Sequence, residues 1–196
     1  MSHHPADWDA EASTFDDEPD HGLTDPATRE AWRSLLRAAL PAAPARIADL
    51  GCGTGTLTVL LAEEGHRVHG VDFAPAMVER ARRKAQDAGL DVDLTVADAA
   101  APGLEPAAYD AVLCRHVLWA LPDPVAALRG WFDLLAPGGR LVLVEGRWGT
   151  GAGIGPGECR RLVELAGGTA EVRPLPDPVY WGRPIDDERY LVVGRA

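Results

Sequence analysis

The chain has 196 residues, a formal net charge of -11 and a pI near 4.9, a length that suits one domain with a single core. Such an acidic chain repels phosphate backbones, which argues against a nucleic-acid partner and favours a small or neutral substrate. Hydrophobic residues make up 46% and charged residues 25% of the chain, which is ordinary for a globular protein and excludes general disorder.

The cysteine pattern indicates a reducing environment. Cys52, Cys114 and Cys159 are isolated from one another, without the close spacing of a zinc site or a disulfide framework. We therefore predict no bound metal and a cytoplasmic setting. No apolar run follows a basic start and no run of about 18 apolar residues occurs, so we predict neither a secretory signal nor a membrane partner.

The N-terminal region combines an acidic cluster with aromatic residues that a solvated tail would not need, Trp8 and Phe15. We expect these aromatics to cover another part of the protein. Asp25-Pro26 then supplies an N-cap and a proline at the first helical position, and apolar residues recur at helical spacing up to Pro41. Residues 1–45 are therefore predicted to form an N-terminal lid and helix of the same domain as residues 46–196.

Three glycines interrupt the stretch Ile47-Ala-Asp-Leu-Gly-Cys-Gly-Thr-Gly-Thr-Leu57, where an apolar strand pattern passes directly into a helical one. Glycine is used where φ is positive or where a ligand approaches the main chain. The N–H groups at the start of the helix favour a carboxylate or a phosphate. The spacing differs from the dinucleotide fingerprint G-x-G-x-x-G, because Thr56 stands where the last glycine would fall. A tight turn without a ligand is the alternative.

Strand and helix patterns alternate along the middle of the chain. The predicted strands are Arg46–Leu50, His66–Asp72, Leu90–Ala97, Tyr109–Cys114 and Arg140–Glu145, and the predicted helices are Thr54–Glu64, Pro75–Ala88 and Pro124–Leu135. This alternation predicts βαβ crossovers and a mainly parallel sheet with helices on both faces.

The pattern changes after the glycine-rich loop Gly146–Gly157 and a short helix, Glu158–Ala166. Two strand-like runs, Glu171–Leu175 and Arg189–Val193, follow with no helix between them, so we expect them to pair antiparallel. The predicted fold is α/β: a single-domain, Rossmann-like, doubly wound seven-stranded sheet, mainly parallel with an antiparallel last strand.

Five features together resemble the class I S-adenosylmethionine-dependent methyltransferases. They are Asp49-Leu-Gly-Cys-Gly-Thr-Gly55, Asp72 at the end of the second strand, Met77 five residues later, Asp98 at the end of the third strand, and Leu135-Ala-Pro-Gly-Gly-Arg-Leu-Val-Leu-Val144. The resemblance covers roughly Ile47 to Glu145 and the closing hairpin. It implies S-adenosyl-L-methionine as the cofactor, S-adenosyl-L-homocysteine as its product, and methyl transfer to an O, N, S or C nucleophile by in-line displacement.

The same resemblance implies a set of cofactor contacts. Asp49 and the glycine turn would hold the methionine ammonium and carboxylate, and Asp72 would accept hydrogen bonds from the ribose hydroxyls. Met77, Asp98 and the Ala99 N–H would contact the adenine, although a methionine at helical spacing is also typical of plain core. The cofactor-binding residues so implied are Asp49, Gly51, Gly53, Gly55, Asp72, Met77, Asp98, Ala99 and Arg115.

Arg115 and His116 follow the fourth strand, where the family places residues that face the methyl group. His116 and His21 are the candidates for a catalytic base, because a neutral imidazole near pH 7 can accept the nucleophile's proton. For His116, a hydrogen bond to the backbone at a helix start is an equal alternative.

We also predict that the segment Trp8–Leu23 is a lid over the cofactor, because Phe15-Asp16 resembles an aromatic–Asp pair that borders the donor in this family. Trp119 and Trp181 are candidates for the substrate side, with core packing as the favoured alternative for Trp119 and sheet-edge packing as an equal one for Trp181.

The fourth strand is not followed by the Asn/Asp-Pro-Pro-aromatic sequence that resembling enzymes use on base amines of nucleic acids. We therefore predict a small-molecule acceptor, no nucleic acid, and a monomer or homodimer. Three alternatives stay open: a nicotinamide oxidoreductase, a non-catalytic cofactor-binding protein, and an enzyme that uses the same donor for another outcome such as cyclisation.

Overall fold

The structure is a computed structural model that describes residues 4–196, so the first three residues of the predicted lid lie outside it. The strands are β1 Arg46–Leu50, β2 Arg67–Asp72, β3 Asp93–Val96, β4 Tyr109–Arg115, β5 Leu135–Arg147, β6 Thr169–Pro174 and β7 Glu188–Arg195. The α-helices are α1 Pro5–Glu11, α2 Pro19–Gly22, α3 Pro26–Ala39, α4 Thr56–Glu63, α5 Pro75–Asp87, α6 Pro124–Asp133 and α7 Pro156–Leu165. Short 3₁₀ helices lie at Phe15–Asp17, Leu118–Ala120 and Pro178–Tyr180.

The seven strands form one sheet in the order β3-β2-β1-β4-β5-β7-β6. Strands β1 to β5 are parallel, whereas β7 is antiparallel to both of its neighbours. The predicted fold class is confirmed. The order reverses direction between β1 and β4, and ligands of such sheets bind at this switch point, outside the carboxyl ends of the strands.

Two apolar layers cover the two faces of the sheet, because successive strand side chains point to opposite sides. On one face Ile47 and Leu113 pack with Trp32 of α3 and Leu60 of α4. On the other face Val112 and its neighbours pack with α6 and α7, where the largest buried side chain is that of Trp131. No helix among the described residues is long and apolar enough to cross a bilayer.

The observed boundaries differ from the predicted ones where a local turn intervenes. Helix α4 begins at Thr56 rather than Thr54, because Gly55 has a left-handed φ of 76° and cannot continue a right-handed helix. Strand β3 begins at Asp93, since the Leu90 N–H still donates to the Ala85 carbonyl at the end of α5. These differences do not change the topology.

Candidate functional site

The glycine turn between β1 and α4 lies at the switch point of the sheet. Gly51, Gly53 and Gly55 have φ values of 75°, 55° and 76°, in the region that residues with a Cβ rarely adopt. A Cβ on Gly51 would lie 2.3 Å from the Val117 side chain, and one on Gly55 would lie 2.7 Å from α5. A Cβ on Gly53 would meet only Phe15, at 3.6 Å. Gly53 therefore faces the N-terminal segment, while the other two glycines also permit close packing.

Asp72 ends β2 and fixes this turn. Its carboxylate is 7% exposed, and it accepts hydrogen bonds from the Gly53 N–H at 2.9 Å and the Ala74 N–H at 2.9 Å. Burial raises the pKa of Asp72, and these two N–H groups oppose that shift. Each carboxylate oxygen can accept a further hydrogen bond. The acid predicted to contact the ribose therefore also holds the turn in place.

Asp49 lies near the end of β1 and is 2% exposed. It accepts a hydrogen bond from the Thr58 hydroxyl at 2.6 Å. Burial raises the pKa of Asp49 to about 6, and the charge of Asp72 adds to this rise, while the Thr58 hydrogen bond and the charge of Arg115 oppose it. A cation bound beside Asp49 would favour its ionised form.

Most main-chain donors of the turn are already used within the chain. The N–H groups of Gly51 and Cys52 donate to the Val71 carbonyl at 2.7 and 3.0 Å, and that of Gly53 donates to the acid at the end of β2. An anion at this turn therefore needs further donors. Arg115 offers one, because its buried Nε has no hydrogen-bond partner.

The residues expected around an adenine lie beside β2 and β3. Met77 is 1% exposed and packs against Ala12 and Ala74 in a small cluster. Asp98 is exposed, and its carboxylate accepts a hydrogen bond from the Ala100 N–H at 2.8 Å. Ala99 is 7% exposed. The burial of Met77 agrees with core packing.

The N-terminal segment is held against the glycine turn by its own Asp16, whose carboxylate lies beside the start of α4. Asp16 accepts hydrogen bonds from the Thr54 hydroxyl at 2.6 Å and from Lys84 Nζ at 3.1 Å. Lys84 also donates to the Thr56 hydroxyl at 2.6 Å, and Arg80 lies 3.5 Å from Asp16. Burial acts to raise the pKa of Asp16, but the Thr54 hydrogen bond and the Lys84 charge outweigh it and lower the pKa. The negative charge also suits the N-terminal end of a helix.

Apolar and main-chain contacts complete this attachment. Trp8 and Phe15 pack edge to face, with ring centroids 6.3 Å apart, and both lie against the cluster that contains Met77. The Ala76 N–H donates to Asp9 at 2.8 Å. Phe15 stacks on His21 with centroids 4.1 Å apart, and the Phe15 carbonyl is 3.2 Å from His21 Nδ1. The predicted pair of Phe15 and Asp16 therefore borders the glycine turn.

A second polar contact ties the segment to the end of β4. Arg115 donates to Asp20 at 2.8 Å, and the two side chains are only 11% and 8% exposed. The guanidinium also lies over the Trp32 ring, 4.4 Å from its centroid. Two such buried charges require each other, because either alone would be strongly disfavoured. Asp20 has no motif that would have singled it out for this pairing.

His116 follows Arg115 and has a positive φ of 58°, which is strained for a residue with a side chain. Its buried Nε2 has no hydrogen-bond partner. Burial lowers the pKa of His116 well below its usual value, and the charges of Arg115, Arg189 and His21 act in the same direction. Burial also lowers the pKa of His21. Both imidazoles are therefore neutral near pH 7, and the fold places the two candidate bases close enough to interact.

Aromatic rings surround His116. Trp181 stacks on it with centroids 6.1 Å apart, and Trp148 approaches it edge to face at 5.2 Å. Trp119 lies 5.3 Å from Trp148 and donates from Nε1 to the His116 carbonyl at 2.9 Å. The Arg189 guanidinium lies over the rings of both Trp148 and Trp181, at 5.2 and 4.9 Å. We call Trp119, Trp148, Trp181, His116 and Arg189 the aromatic cluster.

Trp181 is 1% exposed and donates from Nε1 to the Leu175 carbonyl at 2.9 Å, so one of its edges is fixed in the core. Trp119 is half-buried.

Sequence reasoning missed Trp148 and Arg189. They meet only because the antiparallel β7 pairs Gly146 with Arg189, which brings the start of β7 beside the residues that follow β5.

Glu145 was also missed, although it shapes the loop after β4. It is 0% exposed and accepts hydrogen bonds from the N–H groups of Val117 and Leu118 at 3.1 and 2.9 Å. Burial raises the pKa of Glu145 to about 8, against the effect of these N–H groups. Its role here is to hold the backbone that carries His116. No group of three or more His, Cys, Asp or Glu side chains suited to a metal ion occurs among residues 4–196.

The central part of the chain matches a family model described as a methyltransferase domain, over residues 48–143. The chain belongs to the class I S-adenosylmethionine-dependent methyltransferases. The family predicted from the glycine turn and the strand-end acids is thereby confirmed. The matched range contains both Asp49 and Asp72, and it ends inside β5.

Two curated relatives of this family are close in sequence. The chain is 44% identical over 117 residues to the demethylmenaquinone methyltransferase of Thermus thermophilus, covering 58% of this chain and 53% of the relative. It is 37% identical over 137 residues to a ubiquinone biosynthesis O-methyltransferase of Xanthomonas axonopodis pv. citri, covering 69% and 54%. The chain thus spans about half the length of these curated relatives.

A solved structure with the same fold is that of the [4+2]-cyclase SpnF. The TM-score is 0.74 at 20% sequence identity, with 85% of this chain and 80% of that chain covered. At this identity the likeness concerns the fold alone.

Proposed function

We propose that this protein is an S-adenosyl-L-methionine-dependent methyltransferase that methylates an O, N, S or C nucleophile of a small molecule. One observation carries the proposal. Two buried carboxylates, Asp49 next to the end of β1 and Asp72 at the end of β2, lie on adjacent parallel strands beside a turn of left-handed glycines. This is the edge at which sheets of this topology bind nucleotide-like ligands.

The residues present fit this cofactor. Asp49, with its pKa raised to about 6, gains a partner for its charge when an ammonium group binds beside it. Asp72 keeps lone pairs for the ribose hydroxyls, and Met77, Asp98 and the Ala99 N–H provide the surroundings of the adenine. Arg115 Nε, buried and without a partner, supplies the donor that a carboxylate needs. When bound, the cofactor supplies an electrophilic methyl group on a sulfonium.

The remaining work of the chain is alignment, exclusion of water and removal of a proton. We assign residues 1–45 to a lid and helix of the same domain, with Phe15 and Asp16 bordering the cofactor. His116 accepts the proton of the acceptor at its neutral Nε2, and His21 is the alternative base. The low pKa of His116 makes it a weak base, which suits an acceptor that is already acidic.

A small-molecule acceptor is supported by the relatives, which are named for the methylation of demethylmenaquinone and for ubiquinone biosynthesis. The net charge of -11 speaks against a nucleic acid. The three cysteines are free thiols, which agrees with a cytoplasmic setting. We propose a monomer or homodimer, and Trp119 and Trp181 on the acceptor side.

Isothermal titration calorimetry tests the cofactor assignment. We expect binding of S-adenosyl-L-methionine and S-adenosyl-L-homocysteine and none of NAD⁺ or NADH. Asp72→Asn should weaken S-adenosyl-L-homocysteine about 10- to 100-fold, because charged hydrogen bonds contribute about 1.5–3 kcal/mol. Asp91→Asn is the matched control, since Asp91 is exposed and lies outside the site. A fully folded protein without affinity for either sulfur compound would remove the proposal.

Turnover separates the remaining alternatives. Incubation with S-adenosyl-L-methionine and an acceptor panel should yield S-adenosyl-L-homocysteine and a product heavier by one methyl group. Binding without product across the panel would favour a non-catalytic protein, and a rearranged product with the donor unconsumed would favour a cyclase-type outcome.

A further inference from the structure

Trp148 occupies the centre of the aromatic cluster. Its ring meets the His116 ring at an interplanar angle of 82° and the Trp119 ring at 61°, and Arg189 covers one of its faces. Edge-to-face contacts of this kind and a guanidinium over a ring are the interactions that recognise a planar aromatic group. The Trp148 indole is therefore held by contacts of the same kind as those that hold a planar aromatic ligand.

This site lies on the half of the sheet that the cofactor acids do not use. Asp49 and Asp72 lie at the carboxyl-terminal parts of β1 and β2, and Asp98 follows β3. The aromatic cluster is built at the ends of β4 and β5 and at the start of β7, on the other side of the switch point. The aromatic cluster therefore lies beside the switch point, away from the acids assigned to the cofactor.

The Trp148 ring lies on a glycine-rich hairpin, residues 147–154, that begins at the last residue of β5. It is closed by Trp148 N–H to the Ala152 carbonyl at 2.9 Å and Ile154 N–H to the Gly146 carbonyl at 3.0 Å. Gly153 has a φ of 87°, and a Cβ there would lie 2.4 Å from Trp148 Cε3. Tyr190 anchors the far end through its hydroxyl, which donates to the Ile154 carbonyl at 2.8 Å. Exposed backbone held by few contacts opens at low cost.

His116 provides a second, independent sign of a ligand. Its buried Nε2 lacks a hydrogen-bond partner among the described residues, and leaving such a group unpaired is unfavourable. The backbone at His116 is also strained, with a φ of 58°. Strain and unpaired polar atoms persist where a ligand makes use of them.

We infer that Trp148 is a displaceable plug of the acceptor site, and that the acceptor is a planar aromatic compound carrying a hydroxyl group. The aromatic ring takes the place of the Trp148 indole among His116, Trp119 and Arg189, and its hydroxyl donates to His116 Nε2. This assignment rests on the proposed methyltransferase function. In the transfer step the O–CH₃ bond forms as the S–CH₃ bond breaks, the electron pair stays on sulfur as a neutral thioether, and the hydroxyl proton passes to His116.

The test compares two probes that share a carbon skeleton, planar 2-naphthol and saturated decahydro-2-naphthol. Calorimetry on the full chain, saturated with S-adenosyl-L-homocysteine, should show at least tenfold tighter binding of 2-naphthol. Trp148→Ala should tighten 2-naphthol binding a further fivefold or more, because it removes the internal competitor. Arg147→Ala, at an exposed neighbouring position, should leave the affinity unchanged. His116→Ala should weaken 2-naphthol and leave S-adenosyl-L-homocysteine binding intact.

Equal affinity for the two probes, or weaker 2-naphthol binding in Trp148→Ala, would overturn the inference. The latter result would mean that Trp148 is a fixed wall of the site.

Hydrogen exchange on the wild-type chain gives a readout that does not depend on the folding of a variant. Addition of 2-naphthol should reduce the protection of the Gly151 and Ile154 amides from hydrogen exchange. These amides donate hydrogen bonds to the Trp148 and Gly146 carbonyls when the hairpin is closed. Unchanged protection with 2-naphthol bound would also overturn the inference. Failure to bind S-adenosyl-L-homocysteine would instead remove the proposed function, and the two naphthol probes can still be compared on the ligand-free protein.

Discussion

The two halves of the ligand-binding edge of the sheet are built on different principles. At the ends of β1 and β2, Asp49 and Asp72 are buried, but each accepts hydrogen bonds from nearby groups. At the ends of β4 and β5, aromatic rings surround His116, and Arg115 lies between the two halves. His116 Nε2 and Arg115 Nε both lack a hydrogen-bond partner.

This difference separates a site organised before its ligand arrives from one that is completed by its ligand. In the polar half, the groups that hold the turn are also those assigned to the cofactor, so binding requires little rearrangement. In the aromatic half, unpaired polar atoms and an inserted indole indicate that the observed packing is one of two arrangements. The N-terminal segment contacts both halves, through Asp16 in the first and Asp20 in the second.

The largest effect is expected from the buried ion pair of Arg115 and Asp20, which lies between the two halves. Arg115→Met leaves the buried Asp20 with only His21 Nε2, 4.0 Å away, as an ion-pair partner among the described residues, and should lower the free energy of unfolding by about 3–5 kcal/mol, measured by urea denaturation. Arg183→Met breaks the pair of Arg183 with Glu18, in which both side chains are more than half exposed, and should cost less than about 1 kcal/mol. Similar losses in the two variants would show that the segment is not anchored through Arg115.

A smaller effect is expected from the glycine turn. Gly55→Ala introduces a Cβ at a φ of 76° and 2.7 Å from α5, and should lower the free energy of unfolding by about 1–3 kcal/mol. Gly149→Ala in the hairpin meets nothing within 4 Å and should change it by less than about 0.5 kcal/mol. Denaturation of both variants checks whether the polar half is the more rigid one. A Gly55→Ala variant with an unchanged free energy of unfolding would show that it is not.

The affinity for S-adenosyl-L-homocysteine should depend on pH through Asp49. Because the pKa of Asp49 is raised to about 6, the carboxyl is neutral below that pH and cannot pair with the cofactor ammonium. S-adenosyl-L-homocysteine affinity should therefore be constant near pH 8 and fall by up to about tenfold per unit below pH 6, or about 1.4 kcal/mol per unit.

Calorimetry from pH 8 to 5 measures this dependence, and Asp49→Asn should bind weakly with a flat profile over the range. The opposite sign applies to the unliganded fold. Since the folded-state pKa lies above the usual 3.8, protonated Asp49 stabilises the fold at low pH, and this contribution is lost as the pH rises through about 6. If the wild-type affinity for S-adenosyl-L-homocysteine does not change between pH 8 and 5, Asp49 does not pair with the cofactor ammonium.

The smallest effect is expected from the lid. Asp16→Asn removes the charge that Lys84 and Arg80 contact, and should weaken S-adenosyl-L-homocysteine about two- to fivefold, because partly exposed pairs contribute about 0.2–1 kcal/mol. High salt should reduce the wild-type affinity toward that of the variant. Asp17→Asn is the control at an exposed neighbour. If both variants bind alike, Asp16 does not hold the lid over the cofactor.

Local patterns were sufficient to predict much of this molecule. The strands β1, β2, β4 and β5 contain runs of apolar residues, and Asp72 could be selected because it stands where such a run ends, whereas Asp49 was implied by the family resemblance. The antiparallel pairing of β6 and β7 followed from the missing helix between them. These features depend on neighbours in sequence, so the residue order alone specifies them.

The contacts that build the acceptor side could not be predicted in this way. Asp20 and Arg115 are 95 positions apart, and neither belongs to a pattern that specifies the other. Trp148 and Arg189 meet through the register of β5 with β7, which depends on the whole sheet. The loop that carries His116 is held by hydrogen bonds to Glu145, which the sequence pattern marks only as the polar end of a strand.

The reversed direction of β7 has a practical consequence for experiments. Glu188 begins the strand at the ligand-binding edge, whereas Arg195 ends it beside Thr169, at the opposite edge. A fluorophore or affinity handle joined after Ala196 would project away from both ligands. A label attached on α1 would instead lie next to the segment that carries Asp16 and Asp20, so labelling there would perturb the contacts it is meant to report.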